Sequence, residues 1–447
     1  MATLPDSSGL MTSSCDVQSI DCFETALASL FRSDGKALPA LARAIEADPV
    51  FAAGHCLRAA ALVLGGTDTP AAELAASVEA IERSRNANPR ERRHADAARR
   101  WLDGKVACAA RLYGALVRDF PRDRLALLVA QSLDFRLGRR KTLRARIERV
   151  LPHWDANDRE YGYLLGMLAF GLEETGHYDR ALAAARRSLE LVPDNASAIH
   201  VIAHVLEMTG PPEMGIAWLR GMQPTWAGNA GFSIHLAWHL ALFQLDADAA
   251  ADALATYDTL IAPRLDAGSS VLVDASALLW RLQLFGTGSR RRWREVTGLW
   301  LRQRIVGNRA FDLVHAVMAL ASSKQHARAR RLAARLEADA MLRAHSGTEE
   351  LALAGPLTAA ILSFCRGDYD GAVESISAIR AAADRCGGSV AQCDLIHLTL
   401  LEAALRAHRR RLARTLAAER AKRKPASRLN RLLEARAWTS RVARLAS

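Results

Sequence analysis

Hydrophobic and polar positions along this chain show little of the every-second-residue alternation that strands need, because β-branched and aromatic residues are sparse. Alanine, leucine and arginine, which are strong helix formers, crowd the sequence instead. Half of the residues are apolar and 24% are charged, as in an ordinary folded protein. This pattern predicts an all-α protein.

A helical-hairpin unit is clearest over residues 162–195. Gly176 provides the turn between its two helices, and Pro193 ends the second helix. Similar turns recur at intervals of 34 to 38 residues, and the best-defined repeats lie at 90–260. A single hairpin of this kind cannot bury its apolar face, so the units are expected to stack. The predicted fold is a right-handed α-solenoid of tetratricopeptide-like (TPR-like) helical hairpins.

The hairpin pattern continues beyond the clearest repeats. Turns without a glycine are predicted near Leu245, Lys324 and His408. The breaks at 210–231 and 286–292 are interpreted as loops between hairpins, and no linker separates one domain from another.

The predicted domain organisation is simple. Residues 1–19 are polar and form a flexible N-terminal tail, and residues 20–447 form a single solenoid with a basic C-terminal end at 403–447. With no signal peptide and no apolar stretch long enough to cross a bilayer, we expect a cytoplasmic protein without a membrane partner. The seven cysteines are scattered and form no C-x-x-C motif, which predicts free thiols in a reducing compartment.

The net charge of +12 is carried almost wholly by arginine and is most concentrated between Arg406 and Arg444. A nucleic-acid partner would also need aromatic stacking groups or a groove-reading motif. This segment contains one aromatic residue, Trp438. It is therefore interpreted as a solvated helical face, and no nucleic-acid partner is expected.

Two histidine pairs, His200 with His204 and His235 with His239, carry the most specific chemical signal. Each pair has i, i+4 spacing, and the second follows the first by 35 residues. On a helix this spacing places both imidazoles on one side, one turn apart. The hairpin register puts the pairs at positions five and nine of adjacent inner helices. We therefore expect all four imidazoles to face one concave groove.

Three further residues complete the predicted ligand pocket. In the same register, Glu173 and Glu207 face the groove. Trp238 stands between the histidines of the second pair, where it contacts a ligand or, equally, packs against the next helix.

Three kinds of site fit this set of residues. The first is a divalent transition-metal site for Zn²⁺, Fe²⁺, Mn²⁺ or Cu²⁺, with the ligands His200, His204, His235, His239 and Glu207. The second is a metal-free acid–base site in which the histidines work with Glu173 and Glu207. The third is a groove that binds a peptide or a small anionic ligand without catalysing a reaction.

Several words of the sequence resemble the tetratricopeptide repeat protein 38 family, among them AIHVIAHVLEM, GFSIHLAWHLALFQLD and DASALLWRLQL. The histidine-containing motifs of the family correspond to the four clustered histidines and to His315 of this chain. The chain departs from the family at Leu236, where asparagine is usual, and at Val390, where a histidine usually follows Gly-Gly-Ser. The resemblance implies the TPR-like fold and, through bacterial relatives associated with natural-product pathways, an oxidative role.

Two functional hypotheses follow. The first is a TPR-like binding or scaffold protein whose histidine-rich pocket holds a small ligand, a metal ion or a peptide. The second is a metal-dependent enzyme, of the oxygenase or hydroxylase type, that uses the four histidines. An enzyme needs an enclosed pocket on which the imidazoles converge, whereas a scaffold needs an open groove.

Overall fold

The structure is a computed structural model that describes residues 3–65, 70–303, 310–342 and 349–439. Within these ranges the regular elements are helices, and the extended pairing is limited to an isolated bridge between Pro5 and Met11. The prediction of an all-α protein is confirmed. The last part of the predicted basic end, residues 440–447, lies outside the described residues.

The chain packs as two compact units, Met1–Ala198 with Gly228–Phe232, and Ile199–Ala227 with Ser233–Ser447. The single solenoid over residues 20–447 stays a prediction. The α-helices of the first unit are α1 Val17–Arg32, α2 Ala37–Ala47, α3 Ala52–Gly65, α4 Ala71–Arg83, α5 Pro89–Leu102, α6 Val106–Asp119, α7 Arg124–Arg136, α8 Arg140–Val150, α9 Tyr161–Glu173 and α10 Tyr178–Leu191.

Helix α11, Ala196–Thr209, belongs to the second unit from Ile199 onward. The other α-helices of that unit are α12 Pro212–Gly221, α13 Gln223–Trp226, α14 Ser233–Asp246, α15 Ala250–Thr256, α16 Ser269–Leu284, α17 Arg290–Arg302, α18 Ala310–Ser322, α19 His326–Leu342, α20 Glu349–Arg366, α21 Tyr369–Ile379, α22 Val390–Arg406, α23 Arg410–Arg423 and α24 Arg428–Trp438. Short 3₁₀ or π turns occupy Leu151–His153, Tyr257–Ile261, Ala262–Ala267 and Arg380–Arg385.

The turns between paired helices follow the predicted hairpin positions. Gly176, between α9 and α10, has a φ of 78°. This left-handed backbone conformation is one that residues with a side chain rarely adopt. Asp248, Lys324 and His408 adopt the same left-handed conformation without being glycine, with φ values of 63°, 60° and 56°. They stand where turns without glycine were predicted. The helical hairpins are therefore recognisable from the sequence, whereas the handedness of their stacking remains a prediction.

The N-terminal segment is packed, which corrects the prediction of a flexible tail. The backbone N–H of Leu4 donates to the carbonyl of Ser14 at 2.9 Å, and that of Ser13 donates to the Glu91 carboxylate at 3.0 Å. Asp6 forms an ion pair with the buried Arg124 guanidinium at 3.4 Å. These polar residues are held because they satisfy buried partners, a role that the polar composition of the segment did not reveal.

The break expected at 210–231 contains the helices α12 and α13, so the loop prediction is wrong there. Pro212 occupies the first turn of α12, where its missing N–H costs nothing. Glycine and proline suggested a loop, yet Gly215 lies inside α12, where the Phe243 side chain comes close to it. The predicted loop at 286–292 is present in shorter form, between the end of α16 and the start of α17.

In the second unit, the C-terminal helices pack against helices from much earlier in the chain. Helix α22 contacts α16, and α24 contacts α14. The Trp280 indole donates to the Thr399 hydroxyl at 2.9 Å, and the Arg281 guanidinium donates to the Ala391 carbonyl at 3.0 Å. In an α-solenoid each repeat contacts only its neighbours. This unit therefore has long-range packing that the predicted solenoid does not include.

Among the described helices, none combines the length and the apolar character that crossing a membrane requires.

Candidate functional site

Helices α11 and α14 carry the four clustered histidines. Both helices are rich in apolar residues, and nearly every residue of α14 is buried. A helix that is apolar around most of its circumference lies in a protein interior. The interior position of these helices takes three of the four imidazoles out of water, those of His200, His204 and His239.

The four imidazoles converge as the spacing predicts. One nitrogen from each of His200, His204, His235 and His239 lies within 4.8 Å of the corresponding nitrogen of every other. The Nε2 atom of His239 is central, at 3.1 Å from Nε2 of His200 and 3.2 Å from Nε2 of His204. The cluster therefore surrounds one small volume.

Burial and mutual proximity favour the neutral forms of His200 and His239. Burial lowers the pKa of His200 well below its ordinary range, and the neighbouring imidazoles lower it further. Burial also lowers the pKa of His239 well below its ordinary range, although contact with Glu207 acts in the opposite direction. A neutral imidazole has a lone pair on one ring nitrogen, which is the form that ligates a metal.

A carboxylate orients His235. Nδ1 of His235 donates to Asp274 on α16 at 2.8 Å, which selects the tautomer whose acceptor nitrogen is Nε2. Trp238 stacks on the same imidazole, with ring centroids 5.2 Å apart and ring planes 12° apart. The Gln392 side-chain amide of α22 donates to the second oxygen of Asp274 at 3.4 Å. His235 is thus held by contacts to both its edge and its face.

A second carboxylate lies behind His239. Oε2 of Glu207 is 3.5 Å from Nδ1 of His239, on the side of the ring away from the other imidazoles. The other carboxylate oxygen of Glu207 accepts a hydrogen bond from Lys424. Burial alone would raise the pKa of Glu207, but Lys424, His239 and His204 together hold it well below its ordinary range. An ionised Glu207 favours a proton on Nδ1 of His239 and a lone pair on Nε2.

The charged network continues beyond Glu207. Arg420 makes two hydrogen bonds to Asp394, at 2.7 and 3.0 Å. Both carboxylates and the cations Lys424, Arg420 and Arg281 line a cavity of about 40 Å³. A cavity of this size and polarity accommodates one or more water molecules. The basic C-terminal segment is therefore not wholly a solvated face, because Arg420 and Lys424 are buried in this network.

The predicted pocket residues differ in their positions. Oε2 of Glu207 lies 3.5 Å from the outer nitrogen of His239, a position that favours an orienting role, and its part as a metal ligand remains a prediction. Trp238 is fully buried between His235 and the guanidinium of Arg281, whose carbon lies 5.4 Å from the ring, and this position favours the packing interpretation. Glu173 is a buried residue of α9 in the first unit, and its part in the pocket remains a prediction.

Sequence reasoning missed three residues of the site, Asp274, Gln392 and Lys424. Asp274 follows His235 by 39 residues, close to the hairpin period, so extending the register by one inner helix would have identified it. Gln392 and Lys424 follow their partners by 118 and 217 residues. No periodicity joins positions so far apart, and only the packing of α22 and α23 brings them near the site.

The geometry of the cluster suits a metal ion. Metal–imidazole bonds of about 2.0 to 2.1 Å separate neighbouring ligand nitrogens by about 3.3 Å in a tetrahedral site. In an octahedral site with similar bonds, adjacent ligands are about 3.0 Å apart. The two distances from His239 Nε2, 3.1 and 3.2 Å, fall between these values. A comparison of the chain with models of known protein families finds no match.

Proposed function

We propose that this protein binds a divalent transition-metal ion between α11 and α14, with His200, His204, His235 and His239 as its ligands. The observation that carries the proposal is the convergence of four imidazole nitrogens within 4.8 Å of one another. Imidazole ligands suit Zn²⁺, Cu²⁺, Fe²⁺ and Ni²⁺ better than Mg²⁺ or Ca²⁺. Asp274 and Glu207 are the carboxylates that orient ligand histidines in such sites.

A metal ion accounts for the cluster better than an extended peptide does. Three of the four imidazoles are buried, and His239 has no exposed surface. A peptide that reads side chains in an open groove must reach them. A bare ion needs only the small volume that the imidazoles already surround.

Metal content and cobalt titration test the proposal. We expect the purified protein to contain one Zn²⁺, Cu²⁺, Fe²⁺ or Ni²⁺ ion per chain, and the metal-free protein to bind one Co²⁺ with visible absorption bands typical of nitrogen ligands. His239→Ala removes the central nitrogen and should abolish the bands. His153→Ala and His177→Ala, at exposed histidines outside the cluster, are matched controls and should bind cobalt normally.

Folding has to be separated from ligation in this test. His200→Gln and His204→Gln keep a side chain of similar size, and far-UV circular dichroism reports whether each variant remains helical. Helical variants that have lost cobalt binding support the proposal. A wild-type protein that is metal-free as purified and gives no cobalt bands overturns it.

A metal-dependent enzyme of the oxygenase or hydroxylase type is the second candidate. The observation in its favour is the 21% exposure of the His235 side chain, which contrasts with the buried side chains of the other three histidines. A catalytic metal needs an open coordination position that solvent or substrate can reach. Azide added to the cobalt-loaded protein should shift the visible bands if such a position exists. Unchanged bands at saturating azide would favour a metal site without catalytic chemistry.

We further propose that the chain is a cytoplasmic member of the tetratricopeptide repeat protein 38 family with a right-handed solenoid fold. The support is the order of its helical hairpins and the placement of their turns at Gly176, Asp248, Lys324 and His408. A crystal structure would test the handedness. Fractionation of cells that express the tagged protein would test the location.

A further inference from the structure

Two buried cysteines face each other at the start of α22. Sγ of Cys386 lies 3.9 Å from Sγ of Cys393, and both thiols point at the carbonyl oxygen of Gly387. Cys386 and Cys393 are 3% and 1% exposed. The two sulfurs need to approach by about 2 Å to reach the bonding distance of a disulfide.

The chain around the thiol pair suits such a movement. Cys386 follows the 3₁₀ turn Arg380–Arg385, and it precedes Gly387 and Gly388, whose φ values are 100° and 80°. Cys393 lies in the first turns of α22 and is held by the helix. We therefore expect the loop that carries Cys386, and not α22, to move when the two sulfurs approach.

A small cavity adjoins the Cys386 thiol. It has a volume of about 30 Å³ and is lined by Cys386, Gln392 and apolar side chains such as Phe311 and Leu395. That volume holds a molecule the size of one or two waters, and hydrogen peroxide is of this size. Larger disulfide oxidants would need the loop to open first.

We propose that Cys386 and Cys393 form a reversible disulfide that weakens metal binding at the histidine cluster. In the first step the Cys386 sulfur attacks one oxygen of hydrogen peroxide and the O–O bond breaks. The thiol proton leaves with the departing oxygen as water, and Cys386 becomes a sulfenic acid. In the second step the Cys393 sulfur attacks the Cys386 sulfur, the S–O bond breaks, and a second water leaves. Two thiols are thus oxidised and one peroxide is reduced to two waters.

The link to the metal site runs through Gln392, the residue before Cys393. Its side-chain oxygen accepts a hydrogen bond from the backbone N–H of Ser389 at 3.0 Å, and its amide donates to Asp274. Asp274 in turn accepts from His235. A disulfide that pulls on the loop from Cys386 to Ser389 disturbs the hydrogen bond that orients Gln392. Loss of that orientation loosens Asp274 and His235, and this regulatory part rests on the proposed metal site.

Peptide mapping tests the thiol pair independently of any metal. Trypsin cleaves after Arg385 and Arg406, so one peptide contains Cys386, Cys393 and no other cysteine. After treatment of the metal-free, full-length protein with hydrogen peroxide and then with N-ethylmaleimide, we expect this peptide to be lighter by two hydrogens and unlabelled. Dithiothreitol should restore two labelled thiols. Cys386→Ala and Cys393→Ala should each prevent the intrapeptide disulfide, whereas Cys365→Ala, outside the pair, should leave it intact.

Cobalt titration then tests the regulation, after catalase has removed the peroxide. We expect the oxidised wild type to bind Co²⁺ at least about tenfold more weakly than the reduced protein, as for loss of an orienting contact to a metal ligand. Peroxide should not change the cobalt affinity of Cys386→Ala.

These two measurements test the disulfide and its effect on metal binding separately. Two labelled thiols after peroxide overturn the thiol pair. A disulfide with unchanged cobalt affinity overturns the regulation alone. A reduced wild type that binds no cobalt overturns the proposed function and the regulation with it, while the peptide mass still decides the disulfide.

Discussion

Lys424 donates a hydrogen bond to Glu207, although 217 residues separate them along the chain. The side chains of both residues are only 9% exposed. Burial of either charge alone would be costly, but each stabilises the charged form of the other. This pair anchors the C-terminal end of α23 behind His239, and it turns part of a basic segment into internal structure.

Replacing Lys424 with methionine should destabilise the protein by about 3 to 5 kcal/mol, because the Glu207 carboxylate is left buried without its cation. The double variant Glu207→Gln, Lys424→Met should lose less free energy of unfolding than Lys424→Met alone, because it removes both buried charges. Urea unfolding followed by circular dichroism measures the free energies. Arg428→Ala is the matched control, because its ion pair with Glu213 is about half exposed and should contribute about 0 to 1 kcal/mol. Equal losses for Lys424→Met and Arg428→Ala would contradict the importance of the buried pair.

Gly215 in α12 provides a second test of packing near the site. A Cβ atom at this position would lie 2.2 Å from two ring carbons of Phe243 on α14. Gly215→Ala should therefore destabilise the protein by about 1 to 3 kcal/mol, even though alanine favours helices by about 1 kcal/mol over glycine. Gly298→Ala in α17 is the control: apart from the backbone of its own helix and its chain neighbours, no heavy atom lies within 4 Å of its added Cβ, so we expect a gain of about 0.5 to 1 kcal/mol. Urea unfolding measures the free energy of unfolding of both variants. A Gly215→Ala variant that is more stable than the wild type would refute the close approach of Phe243.

Asp123 in the first unit should make stability depend on pH in the acid range. Nε2 of His94 and Nη1 of Arg90 each lie 2.9 Å from its carboxylate. Burial alone would raise the pKa of Asp123, but His94 and Arg90 hold it well below the ordinary value of 3.8. The folded state thus favours the ionised form. The resulting stability is fully present above about pH 4 and is lost as the pH falls toward the folded pKa.

Asp123→Asn tests the direction of this pH dependence. At pH 7 the variant should be less stable than the wild type by about 3 to 5 kcal/mol, because Arg90 loses its buried partner. The difference should narrow as the pH falls from 5 to 3, which urea titrations at several pH values would show. Asp119→Asn, whose ion pair with Arg93 is about 40% exposed, should change little at any pH. A difference that widens in acid would contradict the lowered pKa.

The helical hairpins were predictable because their signals are local. Gly176 marks a turn through its left-handed backbone, and helix formers dominate the segments on either side. The packing of the N-terminal segment was not predictable in this way, because Asp6 is held by Arg124 through tertiary structure. Local polarity predicted a tail, whereas the satisfaction of buried charges decided the structure.

The candidate site likewise contains residues that local sequence signals predict and residues that only tertiary packing brings together. The repeat register brings His204 and His239 together, because a spacing of one hairpin period places residues at the same level of neighbouring helices. The register could not place Lys424, since α23 reaches the site by long-range packing outside the repeat pattern. It also could not separate a ligand from an orienting group, because Glu207 and His204 share one helix face. The 3.5 Å distance from Glu207 to the outer nitrogen of His239 favours an orienting role for Glu207.

Asp274 should control metal affinity without being a ligand. Its carboxylate accepts a hydrogen bond from Nδ1 of His235 at 2.8 Å, which fixes the orientation of the ring and directs Nε2 to a metal ion. Asp274→Asn keeps the shape but removes the negative charge, so Co²⁺ affinity should fall about 10- to 100-fold while one ion per chain still binds. Asp258→Asn, on a carboxylate paired with Arg292 outside the cluster, should leave the affinity unchanged. Cobalt titration with circular dichroism as the folding check gives the result. Wild-type affinity in a folded Asp274→Asn variant would show that His235 needs no orienting carboxylate.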